Sequence, residues 1–278
     1  MTTRTWFITG TSSGFGRQLT EILLARGDRV AATARKTASL TDLSAKYGDH
    51  LWLAALEVTD SDAIRWVVGE AFAALGRIDI VVNNAGYGSF GAAEEYTDKQ
   101  ILDQINTNLV GSIRVTRAAL PHLRAQGGGR IIQLSSMGGQ MAFPGMSIYH
   151  ATKWAIEGFF EAVMPEVAPF NIQVTLVEPG SARTSFGRNL VRSETMGVYD
   201  KTPVGEMRRM FAAGQFPIPG DPAKMARAII AAADAEKAPR RLTLGSDAYQ
   251  SVHTALSTRL AEIEAQKDLA FSTDAEDG

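Results

Sequence analysis

Residues 5–34 read TWFITGTSSGFGRQLTEILLARGDRVAATA, and the type of fold can be predicted from this segment. TWFIT and RVAATA are short apolar runs typical of buried strands. Between them, RQLTEILLARG has the spacing of an amphipathic helix that ends at Gly27. A glycine-rich turn joins the first strand to this helix. The order of strand, turn, helix and strand predicts a βαβ unit.

The turn itself predicts a phosphate-binding site. Its glycines are Gly10, Gly14 and Gly16, so the spacing is GxxxGxG rather than GxGxxG. Glycine lets the backbone approach an anion closely, and the free N–H groups at a helix N-terminus point towards that anion. Turns use glycine for other reasons as well. Because this turn lies between a strand and a helix, however, the unit is expected to bind a dinucleotide.

A second feature, SIYHATKWAIEGF at residues 147–159, indicates proton-transfer chemistry. Tyr149 and Lys153 are four residues apart, so they share one face of a helix. A phenol has an ordinary pKa of about 10, and a nearby ammonium is expected to lower that pKa. Ser136 supplies a hydroxyl that could hydrogen-bond the same substrate oxygen. Together these groups suit proton exchange with an alcohol or carbonyl oxygen, although a Tyr–Lys pair alone also arises by chance.

With these motifs in this order, the chain resembles the short-chain dehydrogenase/reductase family in its single-domain branch. The matches are TGxxxGxG at residues 9–16, NNAG at 83–86, NxxG at 108–111, the serine at 136, YxxxK at 149–153 and PGxxxT at 179–184. The stretches YGSFGAAEE, LVGSIRVTRAALPHLR and SMGGQMAFPG are similar to the hydroxysteroid-dehydrogenase-like group. The resemblance is strong over residues 9–184 and weak beyond them.

The resemblance implies a role for each matching residue. Tyr149 would exchange the proton, Ser136 would hold the substrate oxygen, and Lys153 would also bind the nicotinamide ribose. Asn108 would anchor a water that relays protons through Lys153. The residues expected at the cofactor are Gly10, Ser12, Ser13, Gly14, Phe15, Gly16, Arg35, Glu57, Val58, Asn84, Ala85, Gly86, Tyr149, Lys153, Pro179, Gly180 and Thr184. We expect about half the importance of residues 84–86 to be structural.

The end of the second strand indicates the type of cofactor. NAD-dependent members of the family usually place an acidic residue there for the ribose hydroxyl, whereas this chain has Ala34 followed by Arg35. An arginine suits the extra phosphate of NADP(H). We therefore expect NADP(H), with NAD(H) as the alternative, although basic residues after a strand are often merely solvated. Glu57 stands where the family usually has Asp, which changes the expected contact with the adenine.

Strand-like and helix-like patterns alternate along the chain. The strand-like runs are TWFIT, RVAATA, LWLAALEV, IDIVVNNAG, GRIIQLSS, IQVTLVEPG and RRLTLG, and helices are expected at 15–26, 61–75, 98–125, 150–168 and 222–235. Short buried runs separated by helices predict an α/β protein of Rossmann type. The expected fold is a doubly wound, parallel, seven-stranded sheet with helices on both faces. The motif residues would then meet beyond the carboxyl ends of the strands.

Composition narrows the classes of function. A net charge of −2 gives no electrostatic reason to expect nucleic acid as a partner. The chain has no cysteine, and its four histidines lack the spacing of metal ligands. His150 is expected to point away from Tyr149 and to face solvent. We expect no metal, no membrane association and, since MTTRTWFIT lacks the layout of a signal peptide, a cytoplasmic protein.

We expect one domain over residues 1–278, with residues 185–220 as a substrate lid and 248–278 as a C-terminal extension containing another helix. Methionines and aromatic residues in the lid predict an adaptable apolar wall, although about half of them could simply pack the fold. Aromatic and methionine side chains from neighbouring loops could join them: Tyr87, Phe90, Phe143 and Met146. The lid arginines Arg188, Arg192, Arg208 and Arg209 are expected to lie on a solvated face rather than to bind an anion.

The expected function is an NADP(H)-dependent oxidoreductase that interconverts a ketone or aldehyde and an alcohol on a bulky apolar substrate. Three alternatives remain open. They are an NAD-dependent alcohol dehydrogenase, an enzyme of the related epimerase or dehydratase branch, and a catalytically silent NADPH-sensing regulator. By resemblance, the protein is expected to form a homodimer or homotetramer, and a dimer is favoured because the additional C-terminal helix could block the second interface that tetramers use. The apolar face of helix 150–168 could pair across a two-fold axis or cover the sheet.

Overall fold

The computed structural model describes residues 3–275, and the fold is α/β. Its main strands are β1 (Thr5–Thr9), β2 (Arg29–Ala34), β3 (Leu51–Ala55), β4 (Ile80–Asn83), β5 (Gly129–Leu134), β6 (Ile172–Pro179) and β7 (Arg241–Leu244). Its helices are α1 (Gly14–Arg26), α2 (Thr41–Tyr47), α3 (Ser61–Leu75), α4 (Asp98–Ile105), α5 (Ser112–Ala125), α6 (Ser147–Val167), α7 (Pro203–Ala212), α8 (Pro222–Asp234), α9 (Ser246–Glu264) and α10 (Lys267–Phe271).

The seven main strands form one sheet in the order β3-β2-β1-β4-β5-β6-β7, and every pairing is parallel. The strand order reverses between β1 and β4. Because all the strands run the same way, their carboxyl ends lie along one edge, and ligands bind beyond that edge at the point of reversal. The expected doubly wound parallel sheet is confirmed.

Hydrophobic cores cover both faces of the sheet. Side chains alternate along β1, so Trp6 and Ile8 pack with α1, α2 and α8 on one face. Phe7 points to the other face and packs with α3, α5 and α6. Arg130 fastens α8 to the sheet, because its guanidinium donates to carbonyls at the end of that helix, including that of Ala232 at 3.3 Å.

One predicted helix is divided in the structure. The helix expected over 98–125 is interrupted by a π-helical turn at Asn106–Gly111, which separates α4 from α5.

The apolar face of α6 covers the sheet. Its residues Ile156, Phe160 and Val163 are buried in the core. Of the two roles left open for that face, the structure shows the packing role.

The C-terminal extension contains the additional helix as expected, in α9 followed by α10. Residues 276–278 of the extension lie outside the described residues. Within residues 3–275, no helix is both long enough and apolar enough to span a membrane.

Candidate active site

The glycine-rich turn forms a narrow cradle at the point where the strand order reverses. Gly10 and Gly14 have positive φ angles of 71° and 57°, which L side chains rarely adopt. Gly16 has no room for a side chain, because a Cβ there would overlap the Gly10 carbonyl oxygen. Without a side chain at Gly16, the first turn of α1 can lie directly against the backbone of the glycine-rich turn.

Asn84 holds this cradle from the neighbouring strand end. Its Nδ2 donates to the carbonyl oxygens of Thr9 at 2.8 Å and Gly10 at 3.0 Å. The backbone N–H groups of Asn84 and Ala85 both donate to the Thr9 hydroxyl at 3.0 Å. Gly86, next along the chain, is exposed. The side chain of Asn84 thus braces the turn, and the structural share expected for this motif is visible.

The cradle fits a pyrophosphate by its own chemistry. Ser13 is the N-cap of α1, but its side chain accepts no N–H group of the helix. Ser12 and Ser13 are exposed, whereas Phe15 packs against the core below them. Free N–H groups at a helix N-terminus, approached through glycines, suit an anion.

Two arginines lie near the end of β2, and their situations differ. Arg35 is exposed, and among residues 3–275 it forms no ion pair. Arg17, which no sequence motif singled out, donates to the Ser39 carbonyl at 2.8 Å and pairs with Glu21 at 2.6 Å and with Asp42. These carboxylates neutralise Arg17, so Arg35 and its neighbour Lys36 are the cations open to solvent at this strand end among the described residues.

Glu57 and Val58 follow β3, further along the same edge. Glu57 is exposed, and its Oε1 accepts the backbone N–H of Thr59 at 3.3 Å. Val58 is buried, and a Cβ at Gly111 would lie 3.0 Å from the Val58 carbonyl oxygen. Gly111 therefore lets the π turn approach this part of the site.

Ser136, Tyr149 and Lys153 come together as the motif predicts. Ser136 follows β5 and caps a short 3₁₀ turn, since its Oγ accepts the N–H of Gly138 at 3.0 Å. Tyr149 and Lys153 lie on one side of α6, and the Lys153 ammonium is 5.6 Å from the centroid of the Tyr149 ring. Lys153 Nζ donates to the Leu134 carbonyl oxygen at 2.8 Å. This bond ties the lysine to the end of β5.

Burial dominates the electrostatics of this pair. It raises the pKa of Tyr149 to about 12, although a hydrogen bond with Ser136 acts in the lowering direction. Burial also lowers the pKa of Lys153 to about 8, against the opposing charge of Glu157. The expected lowering of the phenol pKa is not found, because the net pKa of Tyr149 lies above its ordinary value. Burial disfavours the charged form of each group, phenolate and ammonium alike.

Asn108 lies in the π turn, and its side chain is fully engaged. Its Oδ1 accepts the backbone N–H of Tyr87 at 3.0 Å, and its Nδ2 donates to the Tyr87 carbonyl at 2.8 Å. Nδ2 also donates to the Thr152 hydroxyl at 3.3 Å. Asn108 thereby joins the loop after β4 to α6. Such π turns are frequent at functional sites.

His150 is buried rather than exposed, which corrects the expectation from the sequence. Its Nδ1 lies 2.9 Å from the Gly138 carbonyl oxygen, and its Nε2 accepts the backbone N–H of Phe143 at 3.2 Å. Burial lowers the pKa of His150, although its bond to Gly138 acts the other way. The loop between Ser136 and α6 folds over the start of the helix, and no helical periodicity could have predicted that cover.

Pro179 is the last residue of β6, Gly180 and Thr184 follow it, and Thr184 lies close to the glycine-rich turn. A Cβ at Gly14 would lie 4.0 Å from the Thr184 Cβ. A Cβ at Gly180 would overlap Asp247 Oδ1, so any larger residue there would displace the Asp247 side chain. Asp247, in the first turn of α9, accepts the backbone N–H of Ser181 at 2.7 Å. The sequence did not predict this contact, and its local pattern contains no signal for it.

An apolar cluster covers Tyr149 from the segment 185–220. Tyr149 packs with buried Phe90 and Met146, and the cluster is extended by Phe143, Leu190, Val204, Met207 and Phe211. The Phe186 ring centroid lies 5.6 Å from that of Tyr149. By contrast, Val191, Met196, Val198 and Met210 are exposed. Part of the predicted apolar wall therefore faces the tyrosine, and part faces solvent.

Comparisons with known proteins point to one family. The family model described as short chain dehydrogenase matches residues 4–195. Oxidoreductase BOA17 of Botryotinia fuckeliana is 35% identical over 272 residues, which cover 98% of this chain and 99% of that protein. The crystal structure of a short-chain dehydrogenase from Streptomyces avermitilis has a TM-score of 0.91 and 42% identity, covering 99% of this chain and 100% of that one.

A further solved structure shows the likeness of fold at lower identity. It is a short chain dehydrogenase from Burkholderia cenocepacia in complex with NADP, with a TM-score of 0.75 and 24% identity, covering 95% of this chain and 97% of that one. A sheet whose ligand edge carries the glycine cradle, Tyr149 and Lys153, together with the family match over residues 4–195, identifies the class. The chain belongs to the short-chain dehydrogenase/reductase family, and it is an oxidoreductase.

Proposed function

We propose that this protein is an NADP(H)-dependent oxidoreductase that interconverts a ketone or aldehyde and an alcohol on a bulky apolar substrate. One observation carries the proposal: Tyr149 is buried beneath an apolar cluster while Ser136 and Lys153 stand beside it. A phenol in such a place can exchange a proton with a substrate oxygen and with little else, because the cluster excludes water.

The residues of the chain have separable tasks. Tyr149 Oη gives its proton to the substrate oxygen during reduction and takes it back during oxidation. Ser136 holds that oxygen by a hydrogen bond, and the Lys153 ammonium stabilises the tyrosinate that reduction leaves behind. Asn108 fixes the position of α6 relative to the loop after β4 through its hydrogen bonds to both. Bound NADP(H) would supply or take up the hydride.

The argument for NADP(H) rests on the charges at the end of β2. An exposed Arg35 follows Ala34, so the place that would hold an acid in an NAD enzyme is apolar. Arg17 is occupied by Glu21 and Asp42, which leaves Arg35 as the guanidinium available for a ribose phosphate. The NADP complex of the Burkholderia cenocepacia protein is compatible with this choice.

The apolar substrate is inferred from the cluster that covers Tyr149. The cluster members Phe90, Met207 and Phe211 are hydrophobic, and methionine and aromatic side chains adapt to bulky apolar shapes. Arg208, which could have received a substrate carboxylate, is instead paired with Glu95 at 2.9 Å. A ketone with a large hydrocarbon body therefore matches this wall better than a sugar or a short acid.

Assembly as a homodimer or homotetramer is part of the proposal. The apolar face of α6 is used by the sheet, but Ala151, Ala155, Gly158 and Ala162 remain exposed on its outer side. Small residues let two helices approach closely, so this outer side suits helix pairing between two copies. The added helix α9 covers the Pro179–Gly180 loop through Asp247, next to the last strand of the sheet.

The first test is fluorescence titration of the purified protein with NADPH and with NADH. Wild-type protein should bind NADPH more tightly, and Arg35→Ala should lose that preference while its NADH affinity stays the same. Arg117→Ala, which removes an exposed arginine from α5, is the matched control and should behave like wild type. Equal affinities, or a preference for NADH, would point to an NAD-dependent alcohol dehydrogenase. If the protein bound neither cofactor, the proposal that it is a dehydrogenase would be refuted.

The second test is turnover of acetone, cyclohexanone, acetophenone and benzil with NADPH. The bulky ketones should be reduced best. Tyr149→Phe should bind NADPH normally and lose at least about a hundredfold in kcat, since general acid catalysis contributes on that order. A Tyr149→Phe protein that kept its rate would remove the tyrosine from the mechanism and favour a silent cofactor-sensing role.

A further inference from the structure

A carboxylate that the proposed mechanism does not use is buried beside the apolar cluster. Glu95 ends the 3₁₀ turn Ala93–Glu95 in the loop after β4, and its side chain is 0% exposed. Its Oε2 accepts the backbone N–H of Ala92 at 2.7 Å, and its Oε1 accepts the backbone N–H of Met196 at 2.7 Å. The Arg208 Nη2 donates to both oxygens, at 2.9 Å each.

Most of these donors come from the segment 185–220. Met196 belongs to its first half and Arg208 to α7 in its second half, and the Ser193 hydroxyl also lies 3.5 Å from Oε2. Glu95 therefore bridges two separate parts of the segment and joins both to the loop after β4. The same loop holds the segment a second time, because Ser89–Phe90 pairs with Val191–Arg192 as a short parallel ladder.

Glu95 is ionised in this environment. Burial acts to raise its pKa, but the N–H groups of Met196 and Ala92 and the Arg208 guanidinium outweigh that effect, and the pKa lies below its usual value. A buried ion pair adds little net stability compared with apolar side chains, whereas removing one partner leaves an uncompensated charge. Because its partners Met196 and Arg208 belong to the segment 185–220, Glu95 keeps these contacts only while the segment stays in the observed position.

That arrangement determines what faces the tyrosine. Met207 adjoins Arg208 on α7, and Phe211 follows one turn later on the same helix. Both pack in the cluster around Tyr149, and the Phe211 ring meets the Phe90 ring edge-on with centroids 5.1 Å apart. A shift of Arg208 would move α7 and thus the apolar wall.

We propose that Glu95 is a positioning residue that anchors the segment 185–220 over Tyr149 through Met196 and Arg208, and so sets the affinity for bulky apolar substrates. The statement about substrates rests on the proposed function, whereas the anchoring does not. Glu95 acts on the reaction only through the segment that it holds.

The anchoring is tested first, without any activity measurement, by limited trypsin digestion of the full chain. The segment 185–220 contains several trypsin cleavage sites, including Arg188, Arg192, Lys201 and Arg209. Glu95→Gln keeps the shape of the side chain but turns an amide N–H₂ towards the N–H groups that Glu95 accepts. The segment should then open more often. Because the cleavage rate follows this local opening, we expect cleavage about tenfold faster than in wild type. Arg208→Lys, which loses the two-pronged contact, should give the same result and serves if Glu95→Gln fails to fold.

Each variant has a neighbouring control. Glu94→Gln changes the adjacent glutamate, which is exposed and accepts the Tyr199 hydroxyl of the same segment at 2.6 Å. The glutamine amide oxygen can still accept this bond, so the contact of Glu94 with the segment is kept. Arg209→Lys changes the adjacent arginine, which is exposed and donates to the Asp200 carbonyl at 2.6 Å. Both controls should be cleaved at the wild-type rate. Equal cleavage of Glu95→Gln, Arg208→Lys and the controls would overturn the anchoring.

The consequence for substrates is tested by steady-state kinetics with benzil and acetone. Glu95→Gln should raise the KM for benzil about tenfold, the equivalent of roughly 1.4 kcal/mol, with little change in the KM for acetone or in NADPH affinity. An unchanged KM for benzil in a protein whose segment opens would refute the role in substrate affinity. If wild type itself reduced no ketone, the proposed function would fail, while the digestion would still decide the anchoring.

Discussion

The pKa values of individual residues at the site depend on burial more than on charged partners. Tyr149 and Lys153 share a helix face as their spacing requires, yet desolvation moves both pKa values towards the neutral forms. Neutral Tyr149 is the form that can donate a proton, as the proposed reduction of a carbonyl requires. With a pKa lowered to about 8 by burial, Lys153 is the group that we expect to set the pH dependence of the reaction.

The rate of ketone reduction should therefore fall as pH rises through the pKa of Lys153, about 8. The sign follows from the charge: below this pH the ammonium is present and stabilises the tyrosinate, and above it the ammonium is lost. Initial rates with saturating NADPH and benzil, measured between about pH 6 and pH 10, check this.

Lys153→Arg is the informative variant for that profile. A guanidinium stays charged throughout the range, so any activity that it retains should not decline near pH 8. A wild-type rate that stayed level to about pH 10 would contradict the assignment of the decline to Lys153.

At the scale of elements, the site lies where the loops at the carboxyl ends of the strands pack closely against their neighbours. The turn between β1 and α1 packs against the loop after β4 so tightly that Gly16 has no room for a Cβ. The loop after β6 is equally close to the first turn of α9, at Gly180 and Asp247. These approaches explain why glycines occupy positions where conformational freedom alone would not demand them.

Gly16→Ala should destabilise the protein by about 1–3 kcal/mol, the usual cost of overpacking, and should weaken NADPH binding. The added Cβ would overlap the Gly10 carbonyl oxygen and lie 2.5 Å from Asn84 Nδ2, and a backbone oxygen cannot swing aside. Chemical denaturation and NADPH titration measure the two effects.

Gly69→Ala is the matched control, since Gly69 also lies inside a helix but an added Cβ there would meet nothing within 4 Å in the described part of the chain. Alanine favours helices over glycine by up to about 1 kcal/mol, so this variant should be slightly stabilised. A Gly16→Ala protein as stable as Gly69→Ala would show that the turn can relax.

At the scale of the whole molecule, the parallel sheet is what assembles the site. Residues from the ends of β1, β4, β5 and β6, far apart in the chain, meet because parallel strands present their carboxyl ends at one edge. The helices then divide into surfaces that cover the sheet and surfaces that face outward. The outer side of α6 is the one we propose for pairing between copies.

Light scattering at micromolar concentration should therefore give a mass of at least twice the 29.9 kDa of one chain. Ala155→Arg places a charge on the outer side of α6 and should shift the protein towards monomer, since charges at the core of an interface are disfavoured. Ala74→Arg, at an exposed position on α3, should leave the mass unchanged. A monomeric wild type would refute the assembly.

The sheet and the glycine-rich turn could be predicted from the order of amino acids alone, because these features depend on local patterns. Residues such as Asn108 and Thr184 are singled out only by their match to the motifs of the family. Apolar runs mark strands, residues 61–75 form a helix as predicted, and glycines mark turns wherever they occur. The burial of His150, the π turn around Asn108 and the pairing of Arg208 with Glu95 became visible only in the folded chain. So did the pKa directions of Tyr149 and Lys153. Burial and pairing depend on segments distant in the chain, and no local pattern records which loop will cover a given side chain.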